Sequence, residues 1–178
     1  MENMKYLSNI NDSEKRLHAL YASQARESIV EIGVLSGATT RLLLERSTCT
    51  VFGIDPIVPD SMDENLIGDI NRIAELEKNY IRFIFIKDYS HNVVKTWTHG
   101  IDYIFIDGDH NYKAVKRDFE DWFPHVNQGG VISFHDSACN RGGPKYWPGP
   151  SKFVDGILED RRLEYITTVQ TMTVFRKR

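Results

Sequence analysis

Apolar and polar residues along this chain fall into two kinds of block. Short runs of β-branched, aliphatic and aromatic residues stand at 28–32, 50–54, 81–86, 101–106 and 131–134, and they predict strands. Between them, apolar residues recur at helical spacing. Leu17, Leu20 and Tyr21 mark an amphipathic helix over 12–26, and Leu42, Leu43 and Leu44 mark one over 38–46. Ile70, Ile73 and Leu76 lie in the second half of 59–79, a segment that is polar at first and then helical. Val93, Val94 and Trp97 predict a short helix over 91–99, and Val115, Phe119, Trp122 and Phe123 a longer one over 112–123. Asn11-Asp12-Ser13 ahead of Glu14 supplies helix-start chemistry, while Pro56 and Pro124 end a strand and a helix. The run 81–86 is almost continuously apolar, the pattern of a strand covered on both faces.

Strand and helix alternating at this density predict an α/β fold on a parallel sheet. The end of the chain breaks the rhythm. Two β-rich runs, 163–169 and 172–175, are separated only by Gln170-Thr171. A connection so short permits a hairpin but no parallel crossover, so the last strand enters the sheet backwards. Gln128-Gly129-Gly130 reads as the turn into the strand at 131–134.

Composition narrows the partners. With 178 residues the chain fits one domain, 1–178, with an N-terminal helical segment over 1–26. The formal net charge of −3 supplies no basic field for nucleic acid. No apolar run reaches the ~20 residues that span a bilayer, and the N-terminus lacks the apolar core of a signal peptide. Cys49 and Cys139 stand in dissimilar contexts without metal-type spacing, which fits a reducing cytoplasm. A homodimer is compatible with this composition.

The chemistry gathers at strand ends. The apolar run 101–106 stops at Asp107-Gly108-Asp109-His110, and the run 131–134 stops at His135-Asp136. In an open parallel sheet the carboxyl ends of strands are where ligands bind. Taken alone, Asp-Gly-Asp-His is also a plain turn. Glu31-Ile32-Gly33-Val34-Leu35-Ser36-Gly37 follows the first strand and opens a helix. Its glycines let the backbone bend and a ligand approach, but Leu35 takes the place of the middle glycine of a dinucleotide fingerprint. Asp55 ends the second strand, where a carboxylate can accept both hydroxyls of a ribose or can simply cap the turn before Pro56. Asp88 and Ser90 end the third strand and are placed either for an adenine edge or as helix starters. Residues 137–150 lack periodicity and read as a substrate-side loop in which Arg141, Tyr146 and Trp147 can contact an acceptor. His18, His91, His99 and His125 stand outside these two acid–histidine clusters and are assigned no role.

The motifs VEIGVLSGATT (30–40), VFGIDP (51–56) and IDGDHNYKAVKRDFEDWFPHVNQGGVISFHD (106–136) resemble class I S-adenosylmethionine-dependent methyltransferases. The last is similar to the branch of macrocin- and mycinamicin-type sugar O-methyltransferases and cephalosporin-hydroxylase-like proteins. The resemblance implies a doubly wound, Rossmann-like, seven-stranded mixed sheet with its last strand antiparallel and helices on both faces. It implies S-adenosylmethionine as cofactor, bound by Glu31, Gly33, Ser36, Gly37, Asp55, Asp88, Ser90 and Asp107. It further implies a divalent cation, Mg²⁺ or Mn²⁺, at Asp107, His135 and Asp136, with His110 as general base or Asp109 in its place. The acceptor is then a small molecule or glycan. His135 departs from the usual carboxylate or amide, and imidazole suits Mg²⁺ less well than it suits Mn²⁺, Fe²⁺ or Zn²⁺.

Methyl transfer from a sulfonium needs an aligned nucleophile and a group to take its proton. Two other functions fit parts of the sequence. A non-catalytic cofactor-binding module accommodates the His135 departure. A nicotinamide-dependent oxidoreductase shares the fold type, but the missing glycine and the terminal hairpin count against it.

Overall fold

The computed structural model describes residues 10–58, 66–141 and 147–178. Among these, the strands are β1 (Ser28–Ile32), β2 (Thr50–Ile54), β3 (Phe83–Ile86), β4 (Ile101–Ile106), β5 (Val126–Phe134), β6 (Leu163–Val169) and β7 (Met172–Lys177). They form one seven-stranded sheet in the order β3-β2-β1-β4-β5-β7-β6. β1 to β5 run parallel, and β7 lies antiparallel between β5 and β6. The hairpin predicted around Gln170-Thr171 is present, and Gln170 takes a left-handed φ of 54° to close it.

The helices are α1 (Asp12–Gln24), α2 (Ala38–Arg46), α3 (Leu66–Asn79), α4 (Ser90–Val93), α5 (Tyr112–Trp122) and α6 (Pro148–Ile157). Alternate strand residues point to opposite faces, so each strand feeds two cores. Ile29, Val51, Tyr103 and Phe105 pack under α1, α2 and α3 with Tyr21, Leu43, Leu44, Ile73 and Leu76. Val30, Phe52, Ile104, Ile132 and Phe134 pack under α5 and α6 with Val115, Phe119, Trp122, Phe153 and Val154. Burying Trp122 and Phe119 in this way holds α5 on the sheet by ~3–5 kcal/mol for each ring, judged by the usual cost of truncation.

Three expectations need correction. The run 81–86 is not covered on both faces. β3 starts at Phe83 and is one of the sheet's two edge strands, with Ile84 44% exposed and Ile81 fully exposed. An apolar run cannot by itself tell a central strand from an edge one. β5 starts at Val126 rather than after the glycines, and its register slips between Ile101 and Tyr103, so Gln128-Gly129-Gly130 forms an irregularity inside the strand. Finally, the end of the 137–150 loop is the first turn of α6, where Pro148 and Pro150 occupy positions whose N–H groups have no helical partner. Residues 142–146, with Tyr146, lie outside the described residues, as does the polar start of 59–79.

Candidate active site

The hydrogen-bonded ladder continues one residue beyond the strands. Asp55 N–H donates to Ile86 O (3.2 Å), Gly33 N–H to Ile54 O (2.9 Å), Asp107 N–H to Ile32 O (2.9 Å) and His135 N–H to Ile106 O (3.1 Å). Asp55, Gly33, Asp107 and His135 therefore stand in one row along the carboxyl edge of β2, β1, β4 and β5. The order reverses between β1 and β4, the kind of switch point at which open α/β sheets bind ligands.

On the β1 side the turn after Ile32 is tightly specified. Gly33 has φ 90°, and a β-carbon there would come within 2.6 Å of the Asp107 carbonyl carbon. This glycine is thus required by the close approach of β4, in addition to any ligand. Gly37 (φ 75°) opens α2, and a β-carbon there would meet Leu76 Cδ1 at 2.7 Å. Asp55 Oδ2 accepts the Val34 and Leu35 N–H groups at 2.8 and 3.1 Å, and Oδ1 accepts Ile57 N–H at 2.8 Å. A carboxylate has about four acceptor positions, so Asp55 shapes the turn and keeps capacity for a ligand. Leu35 and Ile57 on either side hold left-handed φ values of 49°. For the β-branched Ile57 this is a strained conformation.

The remaining predicted cofactor residues divide. Ser36 is buried beside the turn. Glu31 points under α2, its carboxylate bonded by the Thr40 hydroxyl, and burial pushes its pKa up to about 8. Asp88 accepts the Tyr89 N–H (2.7 Å) and the Asn92 amide (3.0 Å), while the Ser90 hydroxyl donates to Asp118. Their polar groups serve the start of α4 and its link to α5. Leu35, Val58 and Tyr89, each just beyond β1, β2 or β3, expose about half of their surface. Together they put apolar area on three neighbouring strand ends.

On the β4–β5 side four groups converge. His110 Nε2 lies 3.0 Å from Asp136 Oδ2 and 3.8 Å from Asp107 Oδ1. His135 Nδ1 lies 3.3 Å from Asp107 Oδ1 and 3.4 Å from Asp136 Oδ2. Asp136 reaches in because its backbone turns left-handed, φ 49°, a conformation aspartate tolerates better than most residues. Burial opposes ionisation of Asp136, but hydrogen bonds from His110 and His135 hold its pKa well below the carboxylate range. Burial alone would lower the pKa of His135; the Asp107 charge and the nearby carboxylates of Asp136 and Glu14 push it up to about 12. Asp109 turns away, accepting the backbone and side-chain N–H groups of Asn111 at 2.8 and 2.6 Å. Trp147 stacks on His110 at 4.4 Å between ring centroids. Arg141 is committed to Asp155 and the Ser137 carbonyl, so it acts as a loop staple and does not face the site.

Ligand atoms of Asp107, His110 and Asp136 all lie within 4.8 Å of one another. A cavity of about 10 Å³ beside them, lined in part by Gly108, Val115, His135 and Pro150, has room for one ion or water. Two carboxylates and an imidazole suit Mn²⁺, Fe²⁺ or Zn²⁺ better than Mg²⁺.

Sequence reasoning missed two members of the site. Glu14 read only as helix-start chemistry and Thr171 only as a turn residue. Their contact spans 157 positions of sequence, and no local pattern signals it. His18, given no role, is buried with its Nδ1 on the Tyr103 hydroxyl (2.8 Å), and burial holds its pKa down at about 3. Among the described residues no helix is long and apolar enough to cross a membrane.

Comparison with known proteins places this geometry. Protein R132 of Acanthamoeba polyphaga mimivirus is 33% identical over 149 residues, covering 76% of this chain and 63% of the viral protein. The chain thus spans less than two thirds of that relative. A Corynebacterium glutamicum protein of 15% identity superposes with a TM-score of 0.73 over 96% of this chain and 83% of its own. An O-methyltransferase from Bacillus cereus, solved in complex with SAH, gives 0.67 at 19% identity over 96% and 83%. TomG, an O-methyltransferase of Streptomyces achromogenes solved with SAM, gives 0.67 at 17% identity over 94% and 81%. These likenesses show the shared fold. A family described as Methyltransferase domain matches residues 30–137, more than half of the chain, and the protein belongs to that family.

Proposed function

We propose that the protein is an S-adenosylmethionine-dependent O-methyltransferase acting on a hydroxyl of a small polyhydroxylated or sugar acceptor. One observation carries the reading. The Gly33–Asp55 half and the Asp107–His110–Asp136 half of the edge abut at the contact between Gly33 and Asp107. A nucleoside cofactor on the first half would face an acid–histidine cluster on the second. Family membership supports it, as do neighbours of the same fold solved with SAM or SAH. The long motif over 106–136 favours the macrocin- and mycinamicin-type branch.

The residues divide the work as follows. Asp55 offers its remaining acceptor capacity to ribose hydroxyls, and Leu35, Val58 and Tyr89 offer apolar surface to a flat ring. When bound, S-adenosylmethionine supplies a methyl group on a good leaving group. Because His110 Nε2–H donates to the ionised Asp136, His110 takes the acceptor's proton at Nδ1, and Asp136 orients its ring and stabilises the resulting imidazolium. Trp147, stacked on that ring, shields it from water and gives a sugar face a flat surface.

The donor set also fits a divalent cation, which Asp107 and Asp136 would hold with an imidazole. Such an ion would acidify a coordinated hydroxyl. A cation that used His110 Nε2 would displace the hydrogen that Asp136 accepts and leave the ring's proton on Nδ1, ending its use as a base, so His135 is the compatible third ligand. Transfer of labelled methyl from S-adenosylmethionine to a panel of sugars and polyols tests the reading. Label should appear on oxygen with the wild type and vanish with His110→Ala, while SAH binding persists. Cofactor binding with no transfer across the panel, in the presence or absence of Mn²⁺, would instead favour a non-catalytic module.

A further inference from the structure

Behind the acid pair lies a set of contacts that the proposed chemistry leaves unused. α1 carries Glu14 and the β6–β7 turn carries Thr171 to the Nε2 side of His135. Glu14 is 1% exposed. Its Oε1 accepts the Thr171 backbone N–H at 2.9 Å and the Thr171 hydroxyl at 2.6 Å, and its Oε2 accepts Asn11 N–H at 2.9 Å. An ionised carboxylate only accepts, so the Thr171 hydroxyl uses its one proton on Glu14. The lone pairs of that oxygen then face His135 Nε2 at 3.0 Å, and Nε2 must carry a hydrogen. Nδ1 is left facing Asp107 Oδ1 and Asp136 Oδ2.

We infer that Glu14, acting through Thr171, is a positioning residue that locks the His135 ring with Nδ1 toward Asp107 and Asp136. The lock holds whether Nδ1 donates to the aspartates or faces a cation held by them, because only the Nε2 hydrogen is used. His135 is itself 5% exposed and packs edge-on against Phe105 (5.9 Å between centroids), so a ring released at Nε2 is shielded from solvent, and the other nearby acceptor, Glu14 Oε2, stands at 3.8 Å, beyond hydrogen-bond distance. The Thr171 carbonyl also accepts Ser137 N–H at 2.8 Å, just beyond Asp136. Thr171 thereby ties the C-terminal hairpin to His135 and Ser137, just beyond β5, and Glu14 ties the N-terminal helix to Thr171. The functional consequence rests on the reading of the acid pair as a methyl-transfer site; the ring lock itself does not.

The test uses the full chain with ¹⁵N-labelled histidine, as wild type, Thr171→Val, Thr171→Ser and Glu14→Gln, with His135→Gln to assign the signal. Long-range ¹H–¹⁵N spectra should show a slowly exchanging Nε2–H of His135 in the wild type and in Thr171→Ser. That signal should be lost in Thr171→Val and should exchange faster in Glu14→Gln, whose side chain can still cap α1. The inference is overturned if Thr171→Val and Glu14→Gln both keep the wild-type signal, or if Thr171→Ser loses it as Thr171→Val does. SAH calorimetry on the same samples separates the two ideas. No SAH binding with the expected ring signals removes the cofactor reading and leaves the lock. SAH binding with unresponsive ring signals does the reverse.

Discussion

Gly33 and Asp107 meet backbone to backbone across the point where the strand order reverses. A side chain on Gly33 has no room, because the Asp107 carbonyl group fills that space. The two halves of the edge are thus held in one register by a contact that only glycine allows. Gly33→Ala must both leave a left-handed φ and push β4 away. It should cost at least ~2 kcal/mol of stability, read by urea denaturation, and weaken SAH binding. Wild-type stability with wild-type affinity would show that the contact is dispensable.

Acid should loosen the Glu14 clamp. Burial opposes its ionisation, but the nearby His135 and hydrogen bonds from Thr171 and Asn11 outweigh this and bring its pKa from 4.5 down to about 2. The folded carboxyl therefore holds its proton less tightly than the unfolded one, and its contribution is present above pH 4.5. It is lost as pH falls from 4.5 toward 2. Denaturation of the wild type against Glu14→Gln over that window should show the stability gap closing. A gap that stays constant would show that Glu14 is not ionised in the way its contacts require.

Glu31 should act with the opposite sign. Burial raises its pKa from 4.5 to about 8, so the folded form keeps a proton that the unfolded chain sheds. Between those values the unfolded state binds fewer protons, and stability falls as pH rises. Glu31→Gln keeps the partner for Thr40 without the titration, so the variant should gain on the wild type from pH 4.5 to 8 and level off above. Parallel stability curves across this range would contradict the assignment.

The elements at the centre of the sheet were legible because their patterns are local. The apolar runs of β1 and β4, the spacing of Val115, Phe119 and Trp122, and the short gap at Gln170-Thr171 each dictate structure without distant help. So did the acids and histidines at strand ends, since strand direction alone carries them to one edge. What escaped depended on neighbours. An edge strand such as β3 looks central when its apolar run is read without the sheet, and α6 hides behind a glycine- and proline-rich approach. Asp109 and His110 look equivalent in sequence; only the turn made by Asn111 sends one away and leaves the other on Asp136. Glu14 and Thr171 carry no signal of their partnership with His135.

Trp147 should matter for His110 beyond shape. Removing the stacked ring in Trp147→Ala opens His110 to solvent, while Trp147→Phe keeps the stack. Methyl transfer to any acceptor found in the panel should fall ~10-fold or more in the alanine variant and recover in the phenylalanine one. Equal activity in both would leave the indole without a part in proton transfer.

Isothermal calorimetry of SAH with the wild type and Asp55→Ala reaches furthest. The carboxyl-edge site predicts saturable one-to-one binding by the wild type. It predicts a loss of ~10-fold or more in Asp55→Ala, the scale of a lost hydrogen bond to a charged group. No measurable heat with the folded wild type, or equal affinity in both proteins, would contradict a methyl-donor site at the ends of β1 and β2.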